Sequence, residues 1–308
     1  MDTLRPFAII FLIALITVSG CISQNNKEPG NQDSYEDTKN TAYFIKSTNN
    51  LMNIRVFEST LIKNIISPAF FKEAGKYPLI NYELSHVIVP YGKENFLHTL
   101  KNTSETIYIL SGNGTAEING VTSNLKSGDA LFIPEESCQK LKNTGMSDLT
   151  YLSLTSPPFD ESNEVFLNES LFEDRTLYPD EKALLIRSAD LKKEIFFDDV
   201  EIYKILDPEI LKENNIDSDM NIGIALSLIP KNSLTSPHIL EGTTEVMYFI
   251  SGKGNLQINR NIMTVKGMDT VYIPPGAHQS LENTGDGSLI YITITDPPYK
   301  TSADSAKL

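Results

Sequence analysis

Between residues 106 and 155, short apolar and β-branched runs alternate with polar turn signals, and almost no helical period is present. Thr106 to Leu110 runs into Ser111-Gly112-Asn113-Gly114, and Thr115 to Ile118 runs into Asn119-Gly120. An Asn-Gly pair favours a tight hairpin because both residues tolerate positive φ. Val121 to Leu125, Ala130 to Ile133, Cys138 to Lys142 and Leu149 to Thr155 continue the series. Turns at Lys126-Ser127-Gly128-Asp129 and Asn143-Thr144-Gly145 separate them. The rhythm returns in Val246 to Ile250, Asn255 to Ile258, Val271 to Ile273 and Leu289 to Thr295. Many short strands at this spacing predict an antiparallel sandwich or barrel. Each half also predicts one short helix, with Ser67 or Asp207 as N-cap and Pro68 or Pro208 in the first turn.

The return of the rhythm is a repeat. His98, Leu100, Glu105, Gly112 and Gly114 recur as His238, Leu240, Glu245, Gly252 and Gly254, from 98 to 238 an offset of 140. The same offset carries Pro134 onto Pro274, Gln139 onto Gln279, Asn143 onto Asn283 and Pro157-Pro158 onto Pro297-Pro298. A fixed offset held without a gap means two copies of one domain.

These residues resemble the two motifs of the cupin superfamily. His98-x-Leu100-x4-Glu105-x6-Gly112 is similar to the first motif, and Gly128 through Pro134 with Gln139 and Asn143 to the second. In the second copy, Ile273-Pro274-Pro275-Gly276 followed by Asn283-Thr284-Gly285 is closer still. The resemblance implies an all-β fold of two tandem jelly-roll barrels, a bicupin with a few short helices and a pocket inside each barrel. The expected divisions are an N-terminal barrel over 43–160, a linker over 161–192, a C-terminal barrel over 193–300 and a tail over 301–308.

In metal-binding cupins, two histidines and a Glu from the first motif and a His from the second hold a divalent ion. Here the first His is kept as His98 and His238, and the Glu as Glu105 and Glu245. Leu100 and Leu240 replace the second His, and Gln139 and Gln279 replace the third. Three readings of His, Glu and Gln follow. They make an open site for a weakly held Mn, Fe, Ni or Zn, for which Gln is a poorer donor than imidazole. They form a metal-free polar triad for a ligand's hydroxyl or carboxylate. Or they satisfy one another and bind nothing.

Two more histidines are secondary candidates. His278 adjoins Gln279, so on a regular strand the two face opposite ways, and only a bulge would turn His278 inward. His86, matched by Leu226, would add a polar group to the first pocket alone, or be a half-buried strand residue. At the second-motif turn Glu136 stands where the other copy has Gly276, which predicts a different turn shape in the first barrel.

Outside the repeats, Arg5, the apolar run from Phe7 to Val18 and Val18-Ser19-Gly20-Cys21 read as a signal peptide over 1–20. The cysteine resembles a lipoprotein lipidation site at Cys21. Residues 21–42 are polar and without periodicity, a disordered tether. The net charge of −14 argues against a nucleic-acid partner. Cys138 is the only other cysteine, so no disulfide is expected within a monomer.

The expectation is an extracytoplasmic bicupin, anchored to the membrane through its lipidated N-terminus. It would bind a small polar ligand of carbohydrate-like chemistry in one or both barrels. The alternative is a metal-dependent enzyme of isomerase, hydrolase or dioxygenase type, active in the C-terminal barrel. A rigid scaffold for a protein partner is the third class.

Overall fold

A computed structural model describes residues 43–73, 80–167, 182–196 and 199–300. The expected signal peptide, Cys21, the tether and the 301–308 tail lie outside the described residues. Among the described residues, no helix is long and apolar enough to cross a membrane.

Each repeat folds into two facing antiparallel sheets. In the first, the larger sheet runs Leu184–Ile186, Ala130–Ile133, Ser104–Ser111, Leu149–Ser156, Glu83–Val89, Thr60–Ile66 and Ile54–Val56 in spatial order. The smaller runs Glu164–Phe166, His98–Leu100, Gln139–Asn143, Asn113–Ile118 and Val121–Lys126. In the second, Phe44–Ser47, Asp269–Ile273, Thr244–Ser251, Leu289–Asp296, Gly223–Ile229, Val200–Leu206 and Lys193–Phe196 form the larger sheet. His238–Ile239, His278–Asn283, Lys253–Ile258 and Asn261–Lys266 form the smaller. The architecture is two tandem jelly-roll barrels.

Strand alternation sorts the apolar residues into three cores. Ile107, Ile109, Val87 and Val89 fill the first barrel, and Met247, Phe249, Leu256 and Val271 fill the second. The opposite faces of the larger sheets are apolar as well. Tyr108, Leu152 and Leu154 of the first repeat share one cluster with Tyr248, Ile292 and Ile294 of the second. The barrels therefore pack back to back, which buries both faces of the central strands and gives those strands their near-continuous apolar runs. The helices Pro68–Glu73 and Pro208–Glu213 join this interface through Phe71 and Leu211. The Asp207 side chain caps the second helix by accepting from Ile210 N at 2.9 Å.

Two strands cross the divisions expected from the sequence, which are corrected accordingly. Phe44–Ser47 lies at the start of the N-terminal segment but pairs with Asp269–Ile273 of the second barrel, with Phe44 opposite Tyr272. Leu184–Ile186, in the expected linker, pairs with Ala130–Ile133 of the first barrel, with Leu184 opposite Phe132. These are repeat equivalents. Each barrel thus has one sheet edge covered by a strand that lies next to the other barrel in sequence, so bare edge donors and acceptors are paired. Glu164–Phe166 adds a further strand to the first barrel, so residues 161–192 are not simply a linker.

The expected change of shape at Glu136 is not present. Glu136 adopts φ 62°, as Gly276 adopts φ 74°. The Glu136 amide donates to Leu100 O at 2.9 Å, as the Gly276 amide does to Leu240 O at 2.9 Å. The shared backbone bond imposes the left-handed turn on a side chain that disfavours it.

Candidate functional site

The strand register places the polar residues of the repeat together. On the smaller sheets His98 lies directly opposite Gln139, and His238 opposite Gln279. Glu105 and Glu245 reach them from the facing larger sheets. In the first barrel Gln139 Nε2 lies 3.1 Å from His98 Nε2 and donates to Glu105 Oε2 at 2.9 Å. In the second, Gln279 Nε2 lies 3.2 Å from His238 Nε2 and donates to Glu245 Oε2 at 2.6 Å. Both glutamines and both histidines are buried.

The histidine tautomer follows from its other contact. His98 Nδ1 is 2.8 Å from the Phe96 carbonyl, and His238 Nδ1 is 2.8 Å from the Ser236 carbonyl. A carbonyl only accepts, so Nδ1 carries a proton, and in the neutral ring Nε2 presents a lone pair. The Gln amide then spends one N–H on that lone pair and the other on the carboxylate. Burial lowers His98 to about 4, consistent with a neutral ring. Burial likewise raises the carboxyls of Glu105 and Glu245, opposed at Glu105 by the Ser153 and Gln139 hydrogen bonds and at Glu245 by the His238 charge and then the Gln279 hydrogen bond. The remaining amide atoms, Gln139 Oε1 and Gln279 Oε1, are buried without a partner among the described residues.

The secondary candidates lie elsewhere. The register of His278–Asn283 runs without a bulge, so Gln279 points inward and His278 is exposed on the outer face. His86 stands in one cross-strand row with Leu152 and Tyr108, both members of the cluster between the barrels. The side chain therefore faces the barrel interface, not the first pocket. Burial and then the Lys63 charge lower it to about 4.

Several residues that no motif marked complete the sites. In the first barrel the Phe57 ring packs over His98 at 5.2 Å between centroids, with Phe96 at 5.9 Å and Phe166 at 6.0 Å from Phe57. Glu164 lies opposite Leu100, the position of the lost second histidine, and its Oε1 is 3.9 Å from His98 Nε2. Burial, then the nearby Glu105, raises Glu164 to about 7. The Ser153 hydroxyl donates to Glu105 Oε1. Asn64 donates to Glu83 Oε1 at 2.8 Å, and burial raises Glu83 to about 7.

The second barrel replaces this filling with space. Glu105, Thr155 and Glu83 form one row across three strands, and the matching row is Glu245, Thr295 and Gly223. The next row, Asn64, Ser85 and Ser153, becomes Lys204, Ala225 and Thr293. A cavity of about 390 Å³ lies over the His238–Glu245–Gln279 triad, although at Gly223 itself a Cβ would meet Thr295 Oγ1 at 2.7 Å. Hydroxyls of Ser227, Thr293 and Thr295 line it, with Lys204 and Lys300 at its edge. Lys204 pairs with Asp207 at 3.0 Å.

The triads do not fit the metal that the family resemblance implies. Leu100 and Leu240 put buried apolar groups where imidazoles would be needed. An amide N–H, not an oxygen, faces both the imine nitrogen and the carboxylate. Turning the amide over would set its carbonyl oxygen against those two acceptors. One carboxylate and one imidazole supply too little charge and basicity for a firmly held divalent ion. Among the described residues, no three His, Cys, Asp or Glu side chains group as a metal centre.

Comparison with known proteins agrees with the architecture. Residues 85–155 match the family model of the cupin domain. An uncharacterised protein of Methanocaldococcus jannaschii is 26% identical over 110 residues, spanning 36% of this chain and 83% of that one. The oxalate-binding protein of Thermotoga maritima is 33% identical over 66 residues, 21% of this chain and 54% of its own length. Among solved structures, Lactobacillus farciminis oxalate decarboxylase in its formate complex superposes with a TM-score of 0.64 at 15% identity. The match covers 85% of this chain and 87% of that one. Bacillus subtilis oxalate decarboxylase gives 0.60 at 16% identity, over 85% and 77%. At these identities the structures speak for the fold. The chain therefore has the fold of two tandem jelly-roll barrels, and the first contains the segment that matches the cupin-domain model.

Proposed function

We propose that the protein binds a small hydroxyl-bearing ligand, a sugar-like polyol or a hydroxy acid, in the cavity of the C-terminal barrel. The observation that carries this reading is the cavity of about 390 Å³ above a buried Gln279 whose Oε1 has no partner among the described residues. A buried carbonyl oxygen is costly until a donor reaches it, and a ligand hydroxyl is such a donor. The lining hydroxyls both donate and accept, which suits a polyol, and an acidic substituent would compete with Asp207 for Lys204. The oxalate-binding relative adds small carboxylates to the classes worth testing.

The reading includes an extracytoplasmic location with lipidation at Cys21, supported by the sequence of residues 1–21. The metal-dependent enzyme reading uses the same His238, Glu245 and Gln279, and their donor arrangement speaks against it. A thermal-shift panel of monosaccharides, sugar acids and small mono- and dicarboxylates tests the proposal. One class should raise Tm by at least about 2 °C, an effect that Lys204→Asn weakens for acids and Thr293→Val weakens for all. A flat panel together with metal-dependent turnover would overturn it.

A further inference from the structure

The same three-residue geometry occurs twice, in two pockets whose walls have otherwise diverged. We propose that in each barrel the glutamine amide occupies the place of the metal, as a proton-bearing brace between the two sheets. A divalent ion would gather lone pairs from an imidazole and a carboxylate. The Gln139 and Gln279 amides gather the same lone pairs with two N–H groups, at 3.1 and 2.9 Å in the first barrel and 3.2 and 2.6 Å in the second. The backbone carbonyls of Phe96 and Ser236 hold each imidazole by its Nδ1–H, which turns Nε2 toward the amide.

The glutamine is thus both the missing ligand and the group that makes a metal unnecessary. The brace explains why Gln recurs while its strand neighbour changes from Cys138 to His278. The inference shares the Gln279 amide orientation with the ligand reading, and metal affinity tests it separately from ligand binding.

One substitution should convert the brace into a metal centre. Gln279→His would leave two imidazoles and one carboxylate facing the cavity, a set that holds divalent first-row ions with open positions. Calorimetric titration of the chelator-treated full-length chain with Zn²⁺ and Mn²⁺ tests this. The wild type should show no saturable site, and Gln279→His should gain a saturable site for one Zn²⁺ per chain. Gln279→Leu should gain none. A wild type that takes up one metal per chain, lost in Gln279→Leu, would overturn the proposal. So would a folded Gln279→His that binds no better than wild type. Gln139→His is the parallel variant should Gln279→His fail to fold, with the same expected gain in the first barrel.

Discussion

The two barrels share a brace and differ in what surrounds it. In the first, Asn64 donates to Glu83, Ser153 donates to Glu105, Glu164 approaches His98 and three phenylalanines gather over the ring. In the second, Gly223, Ala225 and Thr293 stand in the matching places and a cavity opens. The residues that set the fold and the brace are held in both copies. The residues that fill or empty the pocket are those that diverge. A duplicated pocket can therefore keep one copy as a packed element and use the other for a ligand, without changing the groups at its centre.

The largest expected effect comes from removing the brace itself. Gln279→Leu leaves His238 Nε2 and Glu245 without their shared donor, whereas in Gln139→Leu the Glu105 carboxyl keeps Ser153. Urea denaturation should show a loss of about 3 kcal/mol for Gln279→Leu and about 2 kcal/mol for Gln139→Leu. The reverse order would break the account of how the two carboxylates are satisfied.

Next is the aromatic cover of the first barrel. Phe57→Ala removes the ring that touches His98, Phe96 and Phe166. Part of this ring is exposed, so the expected cost is about 2 kcal/mol, below that of a fully buried phenylalanine. A change under about 0.5 kcal/mol in chemical denaturation would mean that the rings are an ornament of the surface rather than part of the packing.

The acidic filling of the first barrel is tested by pH. Glu164 has a folded pKa of about 7 against the ordinary 4.5, so it destabilises the fold as pH rises from about 4.5 to 7. Glu164→Gln should accordingly raise stability by about 1–2 kcal/mol at pH 8, allowing for partial exposure, and by almost nothing at pH 4.5. His98 works in the opposite direction. Its pKa of about 4 against 6.5 means that stability is lost as pH falls from about 6.5 to 4. A pH-independent effect of Glu164→Gln would remove Glu164 from the site.

The smallest effect concerns the turn that the two copies share. Glu136→Gly in the first barrel relieves a left-handed backbone and should add up to about 1 kcal/mol, read from the urea midpoint. No gain, or a loss, would mean that the Glu136 side chain contributes a contact worth the strain.

Most of the fold was legible because the repeat made every strand signal appear twice. The triad was legible for the same reason, since His, Glu and Gln recur at one offset. What escaped the sequence is what spatial pairing decides. Phe44–Ser47 and Leu184–Ile186 carry nothing in their composition that assigns them to the other barrel, because an edge strand pairs with whichever edge lies beside it. Glu164 sits outside both motifs, yet the repeat offset sets it against Asp304, also an acid, so the copies did carry a signal for it that a search confined to the motifs passes over. His86 reads as a pocket candidate only while the outer face of the sheet is assumed to meet solvent. The second barrel packed against that face reverses the inference.

The account rests on the side-chain amides of Gln139 and Gln279 holding an imidazole and a carboxylate without a metal. Heteronuclear NMR of the chain labelled with ¹⁵N at glutamine side chains observes those two groups directly. The prediction is two NH₂ pairs protected from solvent exchange and shifted by their charged and aromatic acceptors. One equivalent of Mn²⁺ should leave both pairs unbroadened. Free-exchanging amides, or signals that broaden away at one equivalent of Mn²⁺, would contradict it.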